Sequence, residues 1–191
     1  MKLKHLSIAV IAVAAVCNFI SCSEKPNDVT LSHNTLDAGG TVLDATSNLG
    51  RVLFYDTHLS VNNAIACGSC HRQAYAFSDN VPVSQGFENK VGTRNALPLQ
   101  NLSGMSILFW DGRDSLLNSM VFMPILNHVE MGMSSINALV DRVRNEPYYA
   151  DLFSKAFGSP DVTAEGISIA LSYFVEDIVT SNTRFDQYIR G

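Results

Sequence analysis

Two cysteines three positions apart, followed at once by a histidine, constrain this chain more than any other feature. They are Cys67, Cys70 and His71. Two thiols at this spacing, at the start of a helix, can bond to both vinyl groups of one porphyrin, and the next residue then directs its imidazole at the iron. The motif predicts one covalently bound haem c, with His71 as an axial ligand of the iron.

The same motif has three competing interpretations: a redox-active dithiol, half of a zinc site, or chance. A zinc site needs two further ligands, and the chain has no second cysteine pair with this spacing. A redox dithiol does not require the histidine, and it usually lies in a fold of alternating strands and helices that this sequence does not indicate. Haem is the interpretation that uses all three side chains.

The N-terminus has the pattern of a secretion signal. Lys2 and Lys4 precede an apolar block over residues 6–20. This block is shorter than the roughly 20 apolar residues that cross a bilayer, so a retained transmembrane anchor is the second interpretation. We expect residues 1–21 to form a signal peptide that is removed.

Cys22 follows small and apolar residues and precedes a polar stretch, a pattern that resembles a bacterial lipoprotein cleavage site. Cys22 would then carry a lipid, and residues 22–46, rich in Ser, Thr, Asn, Asp and Gly, would form a tether. We therefore expect a periplasmic protein whose only membrane contact is this lipid anchor. Secretion agrees with haem c, which is attached outside the cytoplasm.

The composition indicates one folded, acidic domain. Hydrophobic residues make up 47% of the 191 residues and charged residues 16%, which excludes a disordered chain. The net charge of −5 becomes more negative when Lys2 and Lys4 leave with the signal, so no nucleic-acid partner is expected. Cys17 also leaves with the signal and Cys22 is the lipid site, which excludes a disulfide framework.

Helical spacing of apolar residues recurs after the tether. It predicts a short helix over residues 49–55. Ser134 is predicted to cap a second helix that Pro147 ends. A third, longer helix is predicted from Thr163, with one apolar stripe that packs in the core.

The segment 78–106 contains prolines and glycines with little periodicity, which predicts a long ordered loop. No segment alternates apolar and polar residues as a half-buried strand would. The predicted fold is therefore all-α, a single domain over residues 47–191.

Seven short motifs then appear in an order that resembles the bacterial di-haem cytochrome c peroxidase family. The resemblance runs from residue 49 to residue 191. The motifs lie at residues 49–56, 66–71, 92–95, 109–113, 124–125, 129–132 and 185–191.

The resemblance implies a cytochrome c-like fold and a place in a two-haem enzyme. In that family the first haem domain reduces hydrogen peroxide to water, and the second accepts electrons from a small donor protein, a cytochrome c or a cupredoxin. This chain resembles the first domain only. We expect either a fragment or a domain whose second haem comes from a separate subunit or a homodimer partner.

The resemblance also implies roles for individual residues. It makes His71 the proximal ligand of the peroxide-reacting haem and Glu130 the acid/base beside it. Without the resemblance, Glu130 would be interpreted as a solvated carboxylate on a loop. His128, two positions before Glu130, could share the proton work or simply face solvent. Trp110 resembles an electron conduit between the haems, with a core or interface aromatic as the alternative. Asn95 resembles a residue of the interdomain calcium site, and the missing second domain argues against bound calcium here.

The sequence departs from the family pattern on the far side of the haem. Phe87 stands where many members have a histidine that blocks the iron, which predicts an iron that is open or binds water. Met120 replaces a distal glutamine and could ligate the iron instead. A methionine there would make an electron carrier. The methionines that could fill the sixth position are Met105, Met120, Met123, Met131 and Met133.

The sequence therefore predicts peroxide reduction by a periplasmic haem domain. The first alternative is a single-haem electron carrier whose iron is closed by Met105 or Met120. The second is a related oxidase that modifies another protein, as the amine-dehydrogenase-maturing members of the family do.

Overall fold

The computed structural model describes residues 44–191. The predicted signal peptide, Cys17, Cys22 and the tether up to residue 43 lie outside this range. The described part of the chain is helical and contains no β-strand, which confirms the all-α prediction. Its helices are α1 (Ala45–Tyr55), α2 (Cys67–Cys70), α3 (Leu117–Met120), α4 (Phe122–Leu126), α5 (Ile136–Asn145), α6 (Pro147–Phe157), α7 (Ala164–Glu176) and α8 (Arg184–Arg190).

Helix α1 begins before the helix predicted over residues 49–55. The carboxylate of Asp44 accepts a hydrogen bond from the backbone N–H of Ser47 at 2.7 Å and caps the first turn. The helix therefore begins at Ala45 and takes in the last two residues of the expected tether. Its buried face carries Leu53 and Phe54.

Helices α1 and α7 cross at the centre of the core. A Cβ atom on Gly50 would lie 1.8 Å from the carbonyl oxygen of Ala170, so only glycine permits this approach of the two backbones. Helix α7 begins as predicted, because the Thr163 hydroxyl accepts a hydrogen bond from Gly166 N–H at 3.0 Å. Ile167 and Leu171 on its apolar stripe are buried, as expected.

The junction of α5 and α6 corrects two details of the sequence analysis. Ser135, not Ser134, caps α5 by accepting a hydrogen bond from Ala138 N–H at 3.1 Å. Pro147 does not only end α5, since it is also the first residue of α6. Proline is favoured at that position because the first turn of a helix leaves its N–H groups without intrahelical partners.

Residues 78–106 form the predicted long ordered loop. A 3₁₀ turn at Phe87–Asn89 is the regular helical element there. Isolated β-bridges close hairpin-like turns within and beside the loop, between Gln85 and Val91 and between Leu108 and Asp114. The loop therefore has a defined backbone.

Helix α8 presents an apolar face to solvent. Thr183 and Asp186 form a capping box at its start. Phe185, Tyr188 and Ile189 follow helical spacing, and Tyr188 is 82% exposed. Nothing in residues 44–191 forms a helix that is both long and apolar enough to span a membrane.

Candidate functional site

Helix α2 places the two cysteines on one helical turn. The backbone N–H of Ala66 donates to the Ser69 hydroxyl at 3.0 Å, which closes the entry to the turn. The backbone N–H of His71 donates to the Cys67 carbonyl at 2.9 Å, so the histidine continues the turn. Cys67 and Cys70 are half-buried and not joined in a disulfide.

The His71 imidazole is oriented by two backbone carbonyls. Its Nδ1 atom lies 3.0 Å from the Phe77 oxygen and 3.0 Å from the Leu97 oxygen. Because carbonyls only accept, Nδ1 carries the proton, and Nε2 is the nitrogen that can bind iron. Burial lowers the pKa of His71, which keeps the ring neutral, the form that ligates metals.

The two thiols have the character expected of structural rather than redox cysteines. Burial raises the pKa of Cys67 to about 12, and burial also raises the pKa of Cys70. Redox-active pairs need the opposite shift, because the thiolate is the reactive form. In residues 44–191 no group of three or more His, Cys, Asp or Glu side chains is placed to hold a metal ion, so the zinc interpretation gains no ligands there.

These observations test whether a haem fits the site. Two adjacent protonated thiols and a neutral, oriented imidazole are the groups that a covalent haem requires. The phenyl ring of Phe77, whose carbonyl orients His71, is buried in the hydrophobic core. The residues present therefore fit the group that the sequence motif predicts.

Glu130 lies close enough to the thiols for its charge to act on them. This charge contributes to raising the pKa of both Cys67 and Cys70. The carboxylate is half-buried, and burial raises the pKa of Glu130 against two opposing influences, the side-chain amide of Asn127 and the charge of Arg113. A carboxyl group whose pKa is raised by burial is suited to both accept and release a proton during a reaction.

The turn at residues 85–91 is docked on the Glu130 backbone. Phe87 N–H donates to the Glu130 carbonyl at 2.7 Å. A Cβ on Gly86 would lie 2.2 Å from the Val129 carbonyl oxygen, so glycine is needed for this contact. The Lys90 ammonium lies 4.7 Å from the centre of the Phe87 ring and 3.4 Å from the His128 carbonyl. This turn thus fixes the backbone of Glu130 through the hydrogen bond to its carbonyl.

His128 is placed at the edge of this arrangement. Its side chain is exposed on the loop before Glu130. The contact that the structure gives it is through its backbone carbonyl, to Lys90. The imidazole is therefore not brought into a defined contact with Glu130.

Trp110 and Asn95 are brought together at the surface. The indole N–H of Trp110 donates to the Asn95 backbone carbonyl at 2.9 Å, and the Asn95 amide donates to the Val81 carbonyl at 2.8 Å. Trp110 is 60% exposed, which removes the core interpretation and leaves an interface aromatic or an electron conduit.

The methionines separate by burial. Met131 and Met133 are buried in the hydrophobic core, where they pack against apolar neighbours. Met105 and Met123 are exposed, and Met120 is half-buried at the end of α3. Met120 is therefore the methionine that both lies at the position of the family's distal glutamine and remains partly exposed.

Sequence reasoning missed three groups of this site. The carbonyls of Phe77 and Leu97 carry no side-chain signal. Asn127 carries only a partial signal, because an asparagine often accepts a hydrogen bond from the backbone N–H two residues later, but this does not reveal that its NH₂ group contacts Glu130.

Known proteins similar to this chain point to one family. The family model described as di-haem cytochrome c peroxidase matches residues 44–191. A cytochrome c551 peroxidase of Nitrosomonas europaea is 36% identical over 146 residues, which is 76% of this chain and 43% of that protein. A methylamine utilization protein MauG of Methylorubrum extorquens is 34% identical over 144 residues, 75% of this chain and 40% of that protein.

Solved structures give the same result for the fold. The crystal structure of a MauG-like protein associated with microbial copper homeostasis superposes with a TM-score of 0.71 at 30% identity, covering 83% of this chain and 45% of that one. The diheme peroxidase BthA of Burkholderia thailandensis has a TM-score of 0.65 at 22% identity, covering 79% of this chain and 47% of that one, and shows likeness of fold alone. The chain thus spans less than half the length of the relatives it matches.

Proposed function

The chain belongs to the di-haem cytochrome c peroxidase family, and on this premise we propose that it is a haem peroxidase domain that reduces hydrogen peroxide with electrons from a donor protein. The observation that carries the proposal is the half-buried carboxylate of Glu130, which accepts a hydrogen bond from the Asn127 amide at 2.7 Å and whose charge acts on both Cys67 and Cys70. The residues that would bind the haem and the residue that would transfer the proton then lie in one site.

One haem is proposed to be bound covalently. Cys67 and Cys70 would form the two thioether bonds, and Nε2 of His71 would be the axial ligand. When bound, the haem iron would supply the electron-transfer chemistry of the site. Covalent attachment predicts that haem stays on the denatured polypeptide in a gel stained for haem, and that Cys67→Ser with Cys70→Ser releases it.

The proton chemistry is assigned to Glu130. As a carboxylate it takes the proton from one peroxide oxygen, and as a carboxylic acid it returns this proton to the other oxygen, which leaves as water when the O–O bond breaks. Two electrons from the donor and two protons from solvent convert the remaining oxygen to a second water. The raised pKa of Glu130 suits it to both halves of this exchange.

The test of this mechanism is Glu130→Gln. We expect the variant to keep the haem spectrum and to lose the rate of reaction with peroxide by about 10² to 10⁴-fold, the usual effect of removing an acid/base. Glu176→Gln, the same change at an exposed position on α7, is the matched control and should react like the wild type. Equal rates in Glu130→Gln and the wild type would remove Glu130 from the mechanism.

Phe87, which stands where many family members have a blocking histidine, would leave the haem iron without a ligand from residue 87. A phenyl ring cannot ligate, and the backbone of Phe87 is fixed by its hydrogen bond to the Glu130 carbonyl at 2.7 Å. We expect a high-spin spectrum in the resting ferric protein. A low-spin spectrum of two histidine ligands would contradict this. A methionine–iron charge-transfer band without peroxide reaction would instead establish the electron carrier closed by Met120.

A second candidate is an oxidase that modifies another protein. It is favoured by the similarity to MauG, a protein named for methylamine utilization. The two functions differ in which protein is oxidised and in whether that protein is changed covalently. A peroxidase oxidises a small donor protein with peroxide turnover, whereas a modifying oxidase leaves a covalent change on a substrate protein that mass spectrometry detects.

The location and partners are proposed from the sequence and the exposed surface. A signal peptide over residues 1–21 and lipid on Cys22 would place the domain in the periplasm. Labelling with a fatty acid that Cys22→Ala abolishes would support the anchor. A second haem domain, either in a longer chain or in a partner subunit, would account for the unmatched length of the relatives and would cover the apolar face of α8.

A further inference from the structure

The side chain of Asn127 connects the backbone of the loop after α4 to Glu130. Its Oδ1 atom accepts a hydrogen bond from the backbone N–H of Val129 at 2.9 Å. Its Nδ2 atom donates to Oε1 of Glu130 at 2.7 Å. The first contact determines the second, because a backbone N–H can only donate, so the oxygen of the amide must face Val129 and the NH₂ group must face Glu130.

The backbone around this pair has little freedom. The Asn127 carbonyl accepts hydrogen bonds from Glu130 N–H at 3.0 Å and from Gly132 N–H at 2.9 Å. From the opposite side, Phe87 N–H binds the Glu130 carbonyl at 2.7 Å. Asn127 itself is half-buried. The amide and the carboxylate are therefore held at fixed positions relative to each other.

The charged groups near Glu130 are mostly engaged elsewhere. The Arg113 guanidinium pairs with Asp111 at 2.9 Å and stacks 3.5 Å from the centre of the Phe109 ring. The Lys90 ammonium pairs with Glu88 at 2.9 Å. Cys67 and Cys70 are influenced by the Glu130 charge but are themselves protonated thiols, or would be thioethers once haem is attached. Among the described side chains, the Asn127 amide is the direct hydrogen-bond partner of the Glu130 carboxylate.

We propose that Asn127 is the positioning residue of the acid/base: it fixes Oε1 of Glu130, leaves Oε2 to exchange the proton with peroxide, and favours the carboxylate form that takes this proton first. The proposal rests on the role of Glu130 in the proposed function. It adds that the pH range in which the site reacts is set by a neutral side chain three residues before the acid/base. The direction agrees with the opposing effects of burial and of Asn127 on the pKa of Glu130.

The variant that tests this is Asn127→Asp. Aspartate keeps an oxygen for Val129 N–H, so the turn is preserved, but it presents a second oxygen to Glu130 in place of the amide donor. Two carboxyl groups at this distance share one proton. We expect the pH below which the peroxide reaction slows to rise by about one pH unit or more, the size typical of a lost hydrogen bond to a charged group.

A second readout does not depend on turnover. The carboxylic acid band of Glu130 in infrared difference spectra of the haem-loaded protein, assigned by its loss in Glu130→Gln, should appear at higher pH in Asn127→Asp. Asn137→Asp, the same change at an exposed position on α5, is the matched control and should leave both curves where they are in the wild type. If Asn127→Asp folds poorly, Asn127→Ser should shift both curves in the same direction by less.

The double variant Asn127→Asp with Glu130→Gln separates positioning from structure. It reverses the donor and the acceptor and so restores the hydrogen bond. Its thermal stability should recover relative to Asn127→Asp, while the peroxide reaction stays as slow as in Glu130→Gln. Wild-type pH curves in both Asn127 variants would overturn the proposal for Asn127 alone. Full activity of Glu130→Gln would overturn the proposed role of Glu130, whereas the infrared titration would still report on the Asn127 contact.

Discussion

Asp56 shows how one carboxylate can join distant parts of the described chain. Oδ2 accepts hydrogen bonds from the Tyr149 hydroxyl at 2.6 Å and from the Tyr148 hydroxyl at 2.9 Å. Oδ1 accepts from the backbone N–H of His58 at 2.8 Å. The side chain is only 8% exposed. The end of α1 is therefore tied to the start of α6 by one acceptor group.

Asp56→Ala should destabilise the domain by about 1–3 kcal/mol at pH 7, because the fully buried Tyr149 hydroxyl loses its acceptor. Burial acts to raise the pKa of Asp56, but the hydrogen bonds from Tyr149, His58 and Tyr148 outweigh it and the pKa is lowered below 3.8. A lowered folded-state pKa gives stability that is present above the unfolded value and is lost as pH falls through the folded value.

Urea unfolding of wild type and Asp56→Ala at a series of pH values checks this prediction. The difference in the free energy of unfolding should be largest above pH 3.8 and should shrink at more acidic pH. Asp151→Ala removes an exposed carboxylate that pairs with Lys155, and it is the control for loss of charge. A difference that is constant across the whole pH range would show that the hydrogen bonds do not favour the ionised form.

At the scale of elements, the sequence predicted α7 from local signals, and it missed one local feature and one tertiary contact. Apolar periodicity and a capping threonine were sufficient to predict α7. Helix α6 was missed because Pro147 was interpreted only as a terminator, although proline also begins helices. The contact of the Leu97 carbonyl with His71 joins residues 26 positions apart, and no local pattern encodes such a pairing.

The residues of the candidate site also differ in how far the sequence indicates them. Cys67, Cys70 and His71 could be proposed from the sequence because covalent haem attachment requires this spacing, and their role stays a prediction. The role of Asn127 was not predicted, because it depends on which way an amide faces after the turn at residues 127–132 has formed. The resemblance supplied Glu130, and the structure adds its burial and its hydrogen-bond donor.

The correction at the start of α5 gives a prediction with an internal control. Ser135→Ala should lower the free energy of unfolding by about 1 kcal/mol, because the N-cap hydroxyl no longer accepts from Ala138 N–H. Ser134→Ala, one position earlier and also exposed, should have an effect within about 0.5 kcal/mol of zero. Denaturant unfolding of both variants shows which of the two serines caps α5. Equal losses, or a larger loss for Ser134→Ala, would place the cap at residue 134.

On the scale of the whole molecule, the apolar surface is not distributed evenly. Phe185, Tyr188 and Ile189 on α8 are each mostly exposed, and Trp110 is exposed as well. The chain covers 43% of the Nitrosomonas europaea relative. The proposed second haem domain would be joined at surfaces of this kind.

Two tyrosines test whether the face of α8 belongs to this core or to an interface. Tyr188→Ala should change the free energy of unfolding by no more than about 0.5 kcal/mol and should reduce binding of a dye specific for apolar surface. Tyr149→Ala, at a fully buried position, should cost about 3–5 kcal/mol. Similar losses in the two variants would mean that α8 packs into the core of this domain.

The crossing of Gly50 and Ala170 also has a consequence for the order of events as the chain folds. The two helices that meet there come from opposite ends of the described chain. The core cannot close until α7 has emerged, because contacts between distant residues form only after the intervening loop is complete. Until then Cys67, Cys70 and His71, which we propose to bind haem, lie in a chain whose core is still open. Late closure of the fold would leave these side chains accessible to the proposed attachment reaction.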